Sequence, residues 1–125
     1  MRAKLASALA AGTLAAVWPG TASGAHPIHD RVMARGSEWQ ITLSKPKVAG
    51  GRVIVQFVNG GEDPHDLRLQ RIGGGPELGI GELEPGTYAN LDVHLKRGSR
   101  YALWCSLPHH RERGMEATLK VARRR

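Results

Sequence analysis

The chain is poor in cysteine and in aromatic residues. Cys105 is its one cysteine, so no intramolecular disulfide can form, and only 5% of the 125 residues are Phe, Trp or Tyr. The longest apolar stretch, residues 5–17, has about 13 residues, whereas a membrane-spanning helix needs about 20. After residue 30 no stretch has a convincing helical period, apart from a short turn that residues 78–83 would allow. These absences argue against a disulfide-stabilised scaffold and against a helical bundle.

The first 25 residues have the pattern of a secretory signal peptide. Arg2 and Lys4 supply positive charge, the apolar residues 5–17 follow, and small residues lead up to Ala25. We therefore expect export to the periplasm, the cell envelope or the exterior, with a mature chain that starts at His26. The alternative is that the segment is retained as an uncleaved membrane anchor.

The charge balance is basic. The chain has 18 Lys and Arg against 11 Asp and Glu, and removal of the first 25 residues leaves 16 against 11. Five of the remaining cations are Arg111, Arg113 and the arginines of the tail 123–125. The export signal and the few aromatic residues argue against nucleic-acid binding. The basic charge is better explained by an acidic protein partner or by peripheral association with an anionic envelope surface. For the tail alone, a simple solvated terminus is the alternative.

The rest of the sequence has the pattern of short β-strands separated by turns. Six runs alternate apolar and polar residues or are rich in β-branched residues, and glycine and proline lie between them. Several short strands in about 100 residues predict an all-β protein with a β-sandwich fold. The runs are Trp39–Leu43, Val53–Val58, His65–Gln70, Leu91–Leu95, Tyr101–Cys105 and Ala117–Val121.

The residues that point to chemistry are the run from Cys105 to Met115 and the separate His65. The run contains His109 and His110, with three and four residues between them and Cys105. One thiolate, two imidazoles and a thioether form the ligand set of a blue-copper site, which transfers single electrons. Burial as a small apolar residue would explain Cys105 alone, but not the histidine and methionine that follow it. The spacing leaves open which of the two adjacent histidines would be the ligand.

These motifs resemble the cupredoxins, the small blue-copper proteins of the plastocyanin and azurin kind. The matching segments are Asn59-Gly60-Gly61 leading to His65-Asp66-Leu67, then residues 101–108, His110 and Gly114-Met115 with the strand to Val121. The resemblance spans residues 37–122, preceded by a flexible mature N-terminus at residues 26–36. It implies a Greek-key β-sandwich with one type 1 copper site, Cu(I) or Cu(II), held by His65, Cys105, His110 and Met115. It also implies a monomeric electron carrier that is not an enzyme.

The chain departs from the cupredoxin pattern at two positions. His109 stands where azurin-like loops carry glycine, and we expect it to be a surface residue beside the site. Asp66 stands where they carry asparagine, whose side chain ties the two ligand loops together. We expect Asp66 to accept a hydrogen bond from a backbone N–H near Ser106, and its charge to lower the reduction potential.

Two further expectations concern partners and an alternative function. Leu107 and Pro108 would flank the ligand histidine on a docking face rimmed by Arg111 and Arg113, which suits a redox partner with acidic groups. The alternative is a copper carrier or buffer, for which an N-terminal His26 together with His29 could bind a second Cu(II). His94 and Met33 are expected to have no ligand role.

Overall fold

The computed structural model describes residues 26–124 and, before them, only residues 12 and 16. The predicted signal peptide therefore lies, apart from two residues, outside the described part. In the part that is described, no helix is long and apolar enough to cross a membrane. Nine strands make up the secondary structure of residues 26–124. They are β1 Asp30–Ser37, β2 Gln40–Leu43, β3 Lys47–Val48, β4 Gly51–Asn59, β5 His65–Arg71, β6 Leu78–Leu83, β7 Tyr88–Leu95, β8 Arg100–Trp104 and β9 Glu116–Val121.

The strands form two mixed sheets that pack face to face. One sheet has the order β2-β1-β4-β7, and the other has the order β3-β9-β8-β5-β6. In the first sheet β1 is parallel to β4, with Val32 opposite Val55, whereas β7 is antiparallel to β4. The predicted all-β sandwich is confirmed.

The core fills the space between the two inner faces. Alternate residues of each strand point inward, as the period of two in the sequence predicts. Phe57 is fully buried, and a Cβ at Gly36 of the neighbouring strand would lie 2.9 Å from its ring. Glycine at position 36 therefore leaves room for the Phe57 ring beside β1. The largest of the fully buried apolar side chains are Phe57, Leu67, Leu69, Leu95, Leu103, Met115 and Leu119.

The structure corrects two sequence-based expectations. The sequence predicts a flexible N-terminal segment at residues 26–36, but residues 30–36 form most of β1, in the interior of a sheet. The buried positions of β1 are Val32, Ala34 and Gly36. None of these residues is a large apolar one, so the alternation of apolar and polar residues that predicts a strand is weak there. The segment Leu78–Leu83, for which a helical turn was considered, is the edge strand β6. There only Ile80 is buried, and Gly79 opposes Arg68 of β5.

The strand ends gather at one end of the sandwich. Strand β5 begins there with His65, β8 ends there just before Cys105, and β9 starts there just after Met115. Because β5 and β8 are antiparallel and pair Arg68 with Trp104, the start of one lies beside the end of the other. The turn between β1 and β2, residues 38–39, belongs to the same end. This fold therefore brings together segments that are far apart in the sequence.

Asp30 anchors the first residue of β1. Its carboxylate accepts hydrogen bonds from the Ala49 amide and from its neighbour Arg31, each at 2.8 Å, and forms an ion pair with Lys45. Burial alone would raise the pKa of Asp30, but the hydrogen bonds from Lys45 and the two amides outweigh it and lower the pKa. The charged carboxylate thus stabilises the folded chain.

We expect Asp30→Asn to lower the free energy of unfolding by about 1.5 kcal/mol at pH 7, the worth of hydrogen bonds to a charged group. Because the folded-state pKa is lowered, this stabilisation is present above the unfolded value of 3.8 and is lost as the pH falls through the folded value. Urea denaturation at pH 7 and pH 3 measures it. Asp92→Asn is the control, because Asp92 pairs with Arg52 at the surface. If Asp30→Asn lowers the free energy of unfolding by as much at pH 3 as at pH 7, this role of the charged Asp30 carboxylate is contradicted.

Candidate metal centre

Three side chains with metal-binding atoms converge at the end of the sandwich where these strands meet. His65, Cys105 and His110 each offer one donor atom, and the three atoms lie within 4.8 Å of one another. Nδ1 of His110 is 3.2 Å from Nδ1 of His65 and 3.4 Å from Sγ of Cys105. His65 and Cys105 are fully buried, whereas His110 is partly exposed. Among the described residues no other group of three His, Cys, Asp or Glu side chains has this geometry.

The loop of residues 105–115 is closed by its own backbone. The amide of His110 donates to the Leu107 carbonyl, and the amide of Met115 donates to the His110 carbonyl. The Cys105 amide in turn donates to the Met115 carbonyl at 3.2 Å. Met115 is fully buried in the core beside this loop. The backbone thus holds Cys105, His110 and Met115 close together.

Asp66 connects the two segments that carry the donors. Its Oδ1 accepts a hydrogen bond of 2.6 Å from the Ser106 amide, and its Oδ2 accepts one from the Ser106 hydroxyl. The expectation that Asp66 binds a backbone N–H near Ser106 is confirmed. Because Asp66 follows His65 and Ser106 follows Cys105, this contact fixes the two buried donors relative to each other.

His109 lies outside the cluster. Its side chain is 73% exposed, and its Nδ1 is 3.5 Å from the Glu112 carboxylate. Its backbone has φ 66°, in the left-handed region that favours glycine. This conformation is consistent with glycine at the corresponding position of azurin-like loops. The structure therefore separates the two adjacent histidines, with His110 facing the cluster and His109 facing solvent.

Burial acts in opposite ways on the pKa of two titratable donors of the cluster, Cys105 and His110. Burial raises the pKa of the Cys105 thiol, so without a metal the sulfur keeps its proton. Burial and the neighbouring His65 lower the pKa of His110, which leaves its imidazole neutral and able to act as a ligand. A metal ion that binds here must therefore displace the thiol proton.

Two residues beside the cluster were not predicted from the sequence. The Oε1 atom of Glu38 is 2.8 Å from Nε2 of His65. The Trp39 ring packs edge-on against His110, with ring centroids 4.7 Å apart, and the Arg113 guanidinium stacks over the Trp39 ring, 4.6 Å from its centroid. Glu38 and Trp39 both reach the site from the β1–β2 turn. No motif marks them in the sequence; only their position at a strand end could have suggested proximity.

The remaining histidines lie elsewhere. His29 has its Nδ1 2.9 Å from the Gly50 carbonyl oxygen. His94 is exposed on β7, where it lies opposite Arg52. His26 is exposed and precedes the first strand. None of the three belongs to the cluster of His65, Cys105 and His110.

The donor set fits a single copper ion. Nitrogen and sulfur ligands lie about 2.0–2.3 Å from a bound transition metal, so donor atoms separated by 3.2 and 3.4 Å can share one ion. A thiolate with two imidazoles is the combination that type 1 copper prefers. Within the described part of the chain, no buried side-chain polar atom lacks a hydrogen-bond partner.

Known proteins of similar structure share this architecture. An auracyanin of the photosynthetic bacterium Roseiflexus castenholzii matches 74% of this chain and 95% of its own, with 16% identity and a TM-score of 0.57. Auracyanin B matches 77% and 91%, with 18% identity and a TM-score of 0.60. A purple cupredoxin from Nitrosopumilus maritimus matches 74% and 99%, with 18% identity and a TM-score of 0.51. No family model and no curated protein sequence matches the chain.

The chain therefore has the cupredoxin fold. Its cluster of His65, Cys105 and His110 has the thiol and imidazole donors of a type 1 copper site.

A pair of glycine substitutions tests the separation of the two histidines. We expect His110→Gly to weaken Cu(II) binding and to shift or weaken the intense visible band that a thiolate–copper pair gives with one equivalent of Cu(II), because the site loses one of its three donors. His109→Gly should keep the band and raise the free energy of unfolding by about 1 kcal/mol, because glycine adopts positive φ without strain. Visible absorption and urea denaturation measure both effects. Loss of the band in His109→Gly would contradict the assignment.

Proposed function

We propose that the mature chain binds one copper ion through His65, Cys105 and His110, with Met115 as a further, weak ligand, and shuttles single electrons between redox partners. The observation that carries this proposal is the convergence of one thiol and two imidazoles on one point at the end of the sandwich. Met115 is supported by its burial and by its backbone bonds to Cys105 and His110. We expect no enzymatic activity, because copper oxidases and nitrite reductases use further copper centres, whereas the described residues form one cluster of this kind.

The protein's contribution to electron transfer is rigidity. Bound copper would alternate between Cu(I) and Cu(II), accepting one electron from a donor and passing it to an acceptor. The donor residues sit at strand ends or in a loop closed by backbone hydrogen bonds, and Asp66 ties these segments together. Ligands held in this way move little between the two oxidation states, so little reorganisation energy opposes the transfer.

Electrons would enter and leave on the side of His110. This ring is partly exposed, whereas His65 is enclosed by protein. Leu107 and Pro108 lie at the surface beside it, and Arg113 projects over Trp39, which touches the His110 ring. An apolar surface with a positive rim suits transient docking of a redox partner with acidic groups.

The proposed location is outside the cytoplasm, in the periplasm, the envelope or the exterior. The pattern of residues 1–25 supports export, and the mature protein would be a monomer. A copper carrier or buffer is the second candidate function. It depends on binding by His26 and His29, and Nδ1 of His29 lies 2.9 Å from the Gly50 carbonyl oxygen.

A serine substitution tests the copper site. With one equivalent of Cu(II), the mature protein from His26 on should show an intense blue, green or purple band from thiolate-to-copper charge transfer, and Cys105→Ser should lack it. Visible absorption and electron paramagnetic resonance measure the site. A pale spectrum that survives Cys105→Ser would place the copper on other ligands, such as His26 and His29, and the carrier function would replace the proposed one.

Arg113 provides a test of docking. It has no carboxylate within ion-pair distance in the part of the chain that is described, whereas Arg111 pairs with Glu116 at 3.1 Å. We expect Arg113→Glu to slow oxidation by an anionic complex, hexacyanoferrate(III), about fivefold at 0.1 M ionic strength, where the screening length is about 10 Å. Stopped-flow absorption measures the rate.

Lys120→Glu is the matched control, because it changes the net charge equally at the other end of the sandwich. Lys120 lies opposite Arg100, five residues before Cys105 on β8, which is about 17 Å at 3.3 Å per residue. Its rate should stay close to that of the unchanged protein. Equal slowing by both substitutions would show an effect of net charge alone and would contradict docking at Arg113.

A further inference from the structure

The buried histidine of the cluster has a carboxylate partner. Glu38, in the turn between β1 and β2, places Oε1 2.8 Å from Nε2 of His65. The backbone amides of Glu62 and Asp63 also donate to this carboxylate, so it acts as the acceptor in each of these contacts. Nε2 of His65 therefore donates to Glu38, and Nδ1 is the ring nitrogen that faces Cys105 and His110.

Backbone amides also hold the Glu38 carboxylate in place. The amides of Glu62 and Asp63 donate to it at 3.0 and 2.9 Å, in the loop that leads to His65. A Cβ at Gly61 would lie 2.4 Å from Oε1, so only glycine leaves room for the carboxylate there. Asn59 fixes the same loop: its side chain donates to the Asp63 and Leu83 carbonyls and accepts from the Gly61 amide. The loop and the carboxylate therefore form one rigid support for His65.

We propose that Glu38 is a positioning residue that holds His65 with Nδ1 toward the metal and that its negative charge favours bound Cu(II) over bound Cu(I), which lowers the reduction potential. This inference rests on the proposed copper site. A carboxylate that accepts the distal N–H of a ligand imidazole orients the ring and makes the other nitrogen a stronger donor. A stronger donor and a nearby negative charge stabilise the more highly charged metal ion more than the less charged one.

A purely structural role for Glu38 makes a different prediction. If the carboxylate served only to hold the loop of residues 61–63, its loss would loosen the site for both oxidation states alike. The Cu(II) and Cu(I) affinities would then fall by the same factor, and the reduction potential would stay unchanged. The ratio of the two affinities separates this role from the proposed one.

The experiment compares Glu38→Gln with Glu62→Gln. The first substitution keeps the shape of the side chain and an oxygen acceptor but removes the charge, whereas the Glu62 side chain is exposed and is not hydrogen-bonded to His65. We expect Glu38→Gln to weaken Cu(II) binding about 10- to 100-fold, to weaken Cu(I) binding less, and to raise the potential. Competition with chelators specific for each oxidation state measures the affinities, and protein-film voltammetry measures the potential. Glu62→Gln should leave all three values close to those of the unchanged protein.

Gly61→Ala is a second variant that leaves the charge of Glu38 intact but displaces the carboxylate. It should shift the potential in the same direction as Glu38→Gln, and it provides the test if Glu38→Gln does not fold. The Nε2 proton of His65 gives an independent readout: in the Cu(I) protein its NMR signal should exchange slowly with water, and faster in either variant.

An unchanged potential in a folded variant, with equal loss of both affinities, would overturn the role of Glu38. Absence of a thiolate–copper band in the unchanged protein would instead contradict the copper site itself. The two failures are therefore distinguishable.

Discussion

The contact between Asp66 and Ser106 is the interaction on which the candidate site depends. His65 and Cys105 are 40 residues apart in the sequence and belong to different segments of the fold. Asp66 accepts from both the amide and the hydroxyl of Ser106, so the residues that follow the two buried donors are joined directly. A buried carboxylate with two such bonds is well satisfied, whereas an unpaired one would destabilise the fold by several kcal/mol. The same carboxylate therefore supports the packing of the two segments and the geometry of the donors.

Much of the fold and of the site follows from local patterns. The alternation in β4, β5, β8 and β9 predicts the sandwich, and the cysteine, histidine and methionine of one loop predict three of its candidate ligands. Strand β1 was missed because its inward positions are held by small residues, which carry little hydrophobic signal. Its place depends instead on non-local contacts: parallel pairing with β4 and close approach of Gly36 to Phe57. The period of a single segment contains no information on such contacts.

The same limit applies to Glu38 and Trp39. Their distance to the site results from the fold of the β1–β2 turn, 27 residues before His65 in the case of Glu38. In contrast, the role of Asp66 was predictable because it is adjacent to a candidate ligand and stands where azurin-like proteins carry an asparagine of known function. His109 is an intermediate case. The sequence shows that His109 stands where azurin-like loops carry glycine. The structure shows that the His109 backbone still adopts the conformation that favours glycine.

The two imidazoles of the cluster have different environments, which argues for different roles. His65 is fully buried and is bonded to a carboxylate, so its surroundings act on the donor strength of the site. His110 is partly exposed and touches Trp39, whose ring lies under Arg113, so its surroundings act on contact with other molecules. In the proposed copper site, a substitution that changes charge beside His65 would act mainly on the equilibrium between oxidation states. A substitution that changes charge beside His110 would act mainly on the rate of encounter with a partner. The proposed potential and partner specificity could then vary independently.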